Sequence, residues 1–375
     1  MSNNSLLIDD AASKIFEAIS NMPIHEYHGH YKWKQPIARD VLDLLLYHYA
    51  TEEAHANGMP ADVIKDIPVT QENQVKRLGQ AFTIAKSVPT NSMFNTWFTY
   101  AANHLFNAKV DLRDEQSIAD LDIVIRSTQS ADRLKRISHQ YKIKTIGLTN
   151  PIGDDLEGVT DQLNYQDQPL FRTAARVDDI FYLRTKGVMD ILERVYGKEI
   201  KDLADYVTAA DKAIKNILFQ DGKKIGHSIV MSNQPLPSVP LEEIPQTIEI
   251  PHDEIKVENA EKSFENLMKF PGWYEKLNED IATVQGYLME TLMSLCESYD
   301  VTFQYMPGVG RNKYPRGTPS GRDVADSSIG FAPFLNLMER HPEVRVSGSV
   351  LHTAGEEELT SAAKHNPNLW VSGFW

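Results

Sequence analysis

The fold follows from the stretch Ile24-His25-Glu26-Tyr27-His28-Gly29-His30, a β-rich run that comes directly after an amphipathic helical stretch. Further β-rich runs occur at residues 143–148, 173–177, 227–231, 301–305, 344–350 and 369–373. A helical pattern precedes each of them. Because strands that alternate with helices indicate parallel crossovers, the sequence predicts an α/β sheet or barrel of parallel strands.

The gap between the first two β-rich runs is long and helical. The spacing of Trp97, Tyr100 and Leu105 is typical of a helix, and we interpret residues 54–130 as an all-helical insertion. The whole chain, residues 1–375, is interpreted as a single barrel domain. The aromatic stripe of the insertion predicts core packing rather than a binding surface. Five prolines within residues 234–251 predict an extended loop over a barrel face.

Composition narrows the class of protein. The chain has 375 residues, of which 42% are hydrophobic, enough for a sizeable core. Its net charge of -14 argues against nucleic acid as a partner. No apolar run approaches the roughly 20 residues of a membrane span, and the only cysteine, Cys296, has no second thiol to pair with. We therefore expect a cytoplasmic protein without a nucleic-acid or membrane partner.

The end of the first β-rich run carries a candidate metal site. Residues two apart on a strand point to the same side, so His28 and His30 can direct both imidazoles at one point. Gly29 between them allows another backbone or a ligand to approach closely. In parallel barrels the C-terminal ends of the strands carry the active site. The alternative is that one histidine is a hydrogen-bonded core residue and the other lies on the surface.

Three further positions leave alternatives open. The segment Tyr47-His48-Tyr49 is either the half-buried aromatic edge of a helix or part of a site. Arg176 is a cation in an apolar strand, so it either pairs with Asp178 or another acid, or faces a cavity and an anionic substrate. Arg311 lies in a glycine-bearing basic loop, which is either a solvated turn or part of a carboxylate clamp.

Taken in order, these features resemble the uronate isomerase branch of the amidohydrolase superfamily over nearly the whole chain. The resemblance rests on the His-x-His pair, the helical insertion and the following motifs: Leu45-Leu46-Tyr47-His48-Tyr49, Leu148-Thr149-Asn150-Pro151, Ala175-Arg176-Val177-Asp178, Gly308-Val309, Asp326-Ser327-Ser328-Ile329-Gly330 and Gly373-Phe374-Trp375. It implies a distorted (β/α)8 TIM-type barrel with one divalent metal ion, Zn²⁺ first and Mn²⁺ or Fe²⁺ as alternatives. The implied reaction is the aldose-ketose isomerisation of a hexuronate.

The same resemblance assigns roles to particular residues. His28 and His30 would be metal ligands, and His48 and Tyr49 would be catalytic, beside the reacting end of the substrate. The substrate itself would be contacted by Arg176, Arg311 and Trp375. The reaction moves a proton from a carbon next to a carbonyl to the neighbouring carbon, so a metal and a hydrogen-bond donor must stabilise an enediolate. Tyr49 suits that donor role.

Two departures from the family pattern bear on activity. Residues 302–306 contain no histidine where many superfamily members have one at the fifth strand. The remaining metal ligand of the family, an aspartate of an eighth strand, would lie beyond the seven strand candidates, so we expect a barrel truncated after its seventh strand, either a fragment or a protein without the activity. Replacement acids would be Asp178 and Asp326. Unpaired strand edges would favour a homo-oligomer.

Two other functions remain open at this stage. A metal-dependent hydrolase could use the same scaffold, because it activates water in other members of the superfamily. A non-catalytic barrel that only binds sugar acids is the second, and a full-length protein that binds no metal would favour it.

Overall fold

A curled parallel sheet forms the centre of the molecule. The computed structural model describes residues 10–130, 132–183, 186–232, 253–269, 278–310, 324–325 and 331–372. Seven strands in these ranges form the half-barrel: β1 Ile24–Gly29, β2 Ile143–Leu148, β3 Phe171–Arg176, β4 Gly226–Met231, β5 Thr302–Tyr305, β6 Val346–Gly348 and β7 Leu369–Val371. Each pairs in parallel with the next along the chain, so β1 and β7 lie at the two edges.

Helices connect these strands. In chain order they are α1 Asp10–Asn21, α2 Val41–Leu45, α3 His48–Ala56, α4 Gln74–Ser87, α5 Met93–Phe106, α6 Glu115–Ser127, α7 Arg133–Gln140, α8 Lys186–Tyr196, α9 Leu203–Leu218, α10 Val257–Lys269, α11 Asn278–Tyr299, α12 Ala332–Arg340 and α13 Thr353–Ala363. Short 3-10 turns span Ala61–Val63 and Asp178–Tyr182. Two-residue strands occur at Asn150–Pro151, Phe219–Gln220, Lys223–Lys224, Val309–Gly310 and Val324–Ala325.

The sequence prediction of the barrel strands is confirmed, because each β-rich run contains one strand of the sheet, with ends that differ by a few residues. The main core lies between the sheet and the helices that follow it. Strand residues such as Phe171, Ile229 and Phe303 are fully buried there. The face of each strand that meets the helices is covered in this way, which contributes to the apolar character of these runs. The architecture is a half-barrel of the TIM type.

Between β1 and β2 the described elements are helical and have a core of their own, built from residues 41–125. A buried ion cluster lies within it, made of Asp40, Asp43, Arg77, Asp122 and Arg126. Arg77 Nε lies 2.5 Å from Asp40 Oδ2 and its Nη2 lies 2.8 Å from Asp43 Oδ1. Arg126 bridges Asp40 and Asp122. The cluster therefore ties α2 to α4 and α6. The division of the chain at residues 54–130 stays a prediction.

The prediction that the aromatic stripe of α5 forms core is wrong for its main members. Trp97 is 49% exposed, and Tyr100 and Leu105 are exposed as well. The buried side of α5 carries Phe94 and Phe98 instead. Aromatic and aliphatic residues occur on both sides of this helix, so the helical period alone did not indicate which side faces the core.

Helix α1 has the opposite character to α5, because none of its residues is buried. Ile15 and Ile19 on its apolar side are exposed. They contact no hydrophobic core in the part of the chain that the structure describes. No helix in the described ranges has the length and apolar character to cross a membrane. Cys296 is buried on α11, where burial raises the pKa of its thiol. The predicted loop at residues 234–251 lies outside the described residues.

Candidate functional site

The C-terminal end of β1 brings the two predicted metal ligands together. The imidazole centroids of His28 and His30 lie 5.2 Å apart with the ring planes nearly perpendicular. The pairing of β1 with β2 shifts register between Glu26 and Gly29, so β1 bulges where His28 begins its approach to the site. The carboxylate of Glu26 accepts the backbone N–H of His28 at 2.6 Å within this bulge. The bulge therefore sets the backbone position from which the side chains of His28 and His30 extend.

Glycines make this close packing feasible. A Cβ at position 29 would lie 2.7 Å from Glu26 Oε2 and 3.1 Å from the carbonyl oxygen of Gly147. A Cβ at position 147 would lie 2.6 Å from the carbonyl of Tyr27. The expected role of Gly29, close approach of a neighbouring backbone, is therefore present on both strands.

His30 is held at the mouth of the sheet by Thr149, which follows β2. The Nδ1 atom of His30 lies 3.1 Å from Thr149 Oγ1, and that hydroxyl lies 3.3 Å from the carbonyl oxygen of Gly29. A carbonyl can only accept, so the arrangement that uses both contacts has Nδ1–H donating to Oγ1. In that arrangement Nε2 keeps the lone pair that a metal ion requires.

The charge state of the two rings follows from their surroundings. Burial lowers the pKa of His28, partly opposed by its hydrogen bond to Gln304. Part of His30 faces solvent, yet burial and the neighbouring His28 lower its pKa to about 4, with Arg176 and His48 acting in the same direction. Both rings are therefore neutral near pH 7, the form in which imidazole binds metal. Arg176 and His48 belong to the same neighbourhood.

Arg176 pairs with an acid, as one of its two predicted alternatives required. Its Nε donates to Asp178 Oδ2 at 3.1 Å, and the Arg176 side chain is 15% exposed. Asp178 is fully buried and also accepts from the backbone N–H of Ser232, at the end of β4, at 2.8 Å. The pair lies at the C-terminal ends of β3 and β4. Arg176 is positioned there by an internal carboxylate, next to the two histidines.

His48 and Tyr49 begin helix α3. The ring of His48 packs on Tyr49 and Tyr47, with centroids 4.1 and 4.6 Å apart. Burial lowers the pKa of His48, and burial and then Glu52 raise the pKa of Tyr49. Near neutral pH the ring of His48 is thus neutral and the phenol of Tyr49 is protonated. The segment is therefore a half-buried aromatic edge at the start of α3, and its part in a site stays a prediction.

A cavity of about 220 Å³ adjoins His28 on the side of β5 to β7. Its lining combines the apolar side chain of Met306 with polar groups, which include the hydroxyls of Ser347, Ser349 and Ser372 and the amide of Gln304. Gln304 was not assigned a role from the sequence. A signal was present, since it is the one side chain with an amide in the apolar run 301–305. The hydroxyl of Tyr27 on β1 donates to the carbonyl of Ser372, which follows β7, at 3.3 Å and so links the two edge strands.

Not every predicted site residue is described. Arg311 and Trp375, the other two predicted substrate contacts, and Asp326, one of the two replacement acids, lie outside the described residues. Within the described ranges no group of three or more His, Cys, Asp or Glu side chains is arranged to hold a metal ion. His28 and His30 still supply two neutral nitrogen donors at one strand end. These residues fit the nitrogen ligands of a divalent-metal site.

Comparison with known proteins gives the same architecture. No protein-family model matches the chain, and no curated protein sequence matches it. Among solved structures, a uronate isomerase from Thermotoga maritima matches with a TM-score of 0.78 at 14% identity, covering 100% of this chain and 81% of that one. A glucuronate isomerase from Caulobacter crescentus gives 0.77 at 18% identity, covering 100% and 79%.

A third structure, a uronate isomerase from Bacillus halodurans C-125, matches with a TM-score of 0.64 at 16% identity, covering 100% of this chain and 76% of that one. At these identities the likeness concerns the fold. The protein therefore has, along its whole length, the fold of structurally characterised uronate and glucuronate isomerases.

Proposed function

We propose that this chain is a hexuronate isomerase that interconverts an aldose and its ketose, D-glucuronate with D-fructuronate or D-galacturonate with D-tagaturonate. The observation that carries the proposal is the meeting of His28, His30, His48 and Arg176 at the C-terminal end of the sheet, in a fold shared with uronate isomerases. Two neutral imidazoles beside a cation suit a metal-assisted reaction on an anionic sugar.

His28 and His30 would hold the divalent metal ion, Zn²⁺ first and Mn²⁺ or Fe²⁺ as alternatives. When bound, the metal would polarise the carbonyl of the substrate and so ease removal of the proton from the adjacent carbon. The protein's own contribution is to keep both rings neutral and aimed at one point, which their burial and their hydrogen bonds at Nδ1 support.

Arg176 would bind the anionic substrate. Its guanidinium is held by Asp178 through Nε, which orients the planar fork of the side chain. A carboxylate or paired hydroxyls match that fork, whereas a neutral sugar without the carboxylate would gain less. We therefore infer that the uronate carboxylate or the hydroxyls beside it face Arg176.

His48 and Tyr49 would act on the reacting oxygens. A neutral imidazole can both give and take a proton, so His48 suits the exchange of a proton between the two oxygens of the enediolate. Tyr49, protonated near neutral pH, can donate a hydrogen bond to the same oxygens. For the proton that moves between carbons, Asp178 and Glu26 are both described carboxylates near His28, although the bonds of Asp178 to Arg176 and Ser232 favour an anchoring role.

The test is proton exchange at C2. The protein is incubated in D₂O with Zn²⁺, Mn²⁺ or Fe²⁺ and each hexuronate, and the C2 proton signal is followed by NMR. Loss of that signal together with ketose formation supports the proposal, and the His28→Ala, His30→Ala variant is the control.

Two outcomes support the other candidate functions. Hydrolysis of a lactone or amide without C2 exchange would indicate a metal-dependent hydrolase. Binding of a hexuronate with neither reaction would indicate a barrel that only binds sugar acids.

A further inference from the structure

Gln304 is a buried amide in an apolar strand. It is 3% exposed on β5, between the buried rings of Phe303 and Tyr305. Buried amides are retained where their hydrogen bonds are satisfied, so its partners indicate its purpose. Its Oε1 lies 3.0 Å from His28 Nδ1, while its Nε2 lies 3.1 Å from the carbonyl oxygen of Tyr27, 2.7 Å from Ser228 Oγ and 3.5 Å from His227 Nε2.

The carbonyl of Tyr27 decides how this amide is oriented. A carbonyl oxygen only accepts, so the group that faces it must be the NH₂ of Gln304. Turning the amide by half a rotation would bring Oε1 against that carbonyl and lose the bond. Oε1 of Gln304 must therefore be the atom that faces the imidazole of His28.

The orientation of the amide in turn decides the tautomer of His28. Since Oε1 is an acceptor without a proton, His28 Nδ1 must carry the proton that lies between them. In the neutral ring the lone pair is then on Nε2. A metal-binding histidine is commonly prepared in this way, by an acceptor on its other nitrogen.

Gln304 also acts on the backbone next to His28. The Tyr27 carbonyl that it binds lies within the β1 bulge, between Glu26 and Gly29, where pairing with β2 shifts register. His227 Nε2 donates to the same carbonyl at 2.9 Å. One side chain from the fifth strand thus holds both the ring of His28 and the peptide that precedes it.

We propose that Gln304 is a positioning residue that fixes His28 in the Nδ1–H tautomer and so presents Nε2 to a divalent cation. The proposal rests on the proposed function only for the identity of the ligand. It gives the fifth strand a role in the site although that strand carries no histidine. The tautomer itself is a property of the metal-free protein.

The experiment reads the tautomer directly. The metal-free 375-residue chain is labelled with ¹⁵N-histidine, and long-range ¹H–¹⁵N correlation spectra at pH 7.5 show which ring nitrogen of His28 bears the proton. A His28→Gln variant identifies the signals. We expect Nδ1–H in the native protein and a loss of that preference in Gln304→Met, which removes the acceptor.

Metal affinity provides the second measurement. Zinc titration should show a site in Gln304→Met that is about 10- to 100-fold weaker than in the native chain. The matched control is Gln285→Met. It removes another buried amide, which donates to the carbonyl of Phe181 at 3.0 Å and not to a group that contacts His28. That control should leave the His28 spectrum unchanged.

Several results would overturn the inference. An Nε2–H signal for His28 in the native protein does so even if Gln304→Met fails to fold. An unchanged Nδ1–H preference in folded Gln304→Met does so as well. If the tautomer follows Gln304 but the native chain binds no zinc, the role of Gln304 stands and the metal of the proposed function is wrong.

Discussion

Two polar clusters of this molecule are built on opposite principles. In the helical segment, the buried ion cluster pairs Arg77 with Asp40 and Asp43 at direct contact distance. At the end of β1, His28 and His30 are kept neutral, and each is bonded at Nδ1 to an uncharged side chain. One cluster neutralises charge internally, whereas the other leaves ring nitrogens for an outside partner. A buried polar group thus indicates function when its partners leave one of its atoms available.

The largest expected effect is the loss of stability when Arg77 in the buried ion cluster is replaced. Replacing it by Met leaves Asp40, which is 1% exposed, without its main counter-charge. Removing one partner of a buried pair costs about 3–5 kcal/mol of unfolding free energy. Urea unfolding measures it. The control is Arg39→Met, because the Arg39 side chain beside Asp43 is 41% exposed, and its loss should cost below about 1 kcal/mol. Equal losses for both variants would contradict the contrast between the clusters.

The second effect concerns metal. His28→Ala, His30→Ala should lower zinc affinity by at least about 100-fold, since two nitrogen ligands are removed, while the urea midpoint of the metal-free protein changes little. Elemental analysis and zinc titration measure binding. Unchanged metal stoichiometry would sink the assignment of these two residues.

The third effect concerns Arg176, which stands between the two principles because it is paired and also faces the site. Arg176→Lys should lower kcat/KM for a hexuronate by about 10-fold, equivalent to about 1.4 kcal/mol of transition-state binding, because an ammonium cannot copy the planar fork. Steady-state kinetics test this. If activity is unaffected and the melting temperature falls, Arg176 serves only the pair with Asp178.

The smallest effect is on the pH dependence of stability. His30 has a folded pKa of about 4, below its ordinary 6.5, so the unfolded chain takes up the proton first. Its contribution to the unfolding free energy is therefore constant above about pH 6.5 and becomes unfavourable as the pH falls towards 4. His30→Asn should reduce this acid loss in the metal-free protein. Urea unfolding of both proteins at pH 7.5 and at pH 4.5 measures this, and an equal acid loss in the two proteins would contradict it.

Much of the fold could be predicted from the sequence, because strand and helix periods differ and each apolar run between helices formed one strand. The strand position of His28 and His30 followed from the same period. The hydrogen-bond partner of Gln304 could not be predicted from this period. The bond from Gln304 to His28 joins residues far apart in sequence, and only the register of β4, β5 and the bulged β1 brings them together.

The choice between the two alternatives for Arg176 illustrates the same limit. Pairing with Asp178 or another acid was predicted as one of them, but whether the guanidinium pairs in this way depends on the turn after β3. The exposed side of α5 illustrates another limit, because Trp97 and Phe98 are both apolar and helical periodicity does not distinguish between them. Which of them meets the core depends on the direction from which α6 and α3 approach.

The close contact between Gly147 and Tyr27 has a consequence for how this protein tolerates variation. Position 147 carries no functional group, yet a methyl there would collide with the Tyr27 carbonyl at 2.6 Å and with His227 at 2.9 Å. The backbone shift that relieves this collision would move the Tyr27 peptide, to which Gln304 donates, and with it the imidazole of His28. In a saturation library scored for metal binding, substitutions at Gly147 should therefore be tolerated as poorly as substitutions of His28 or His30.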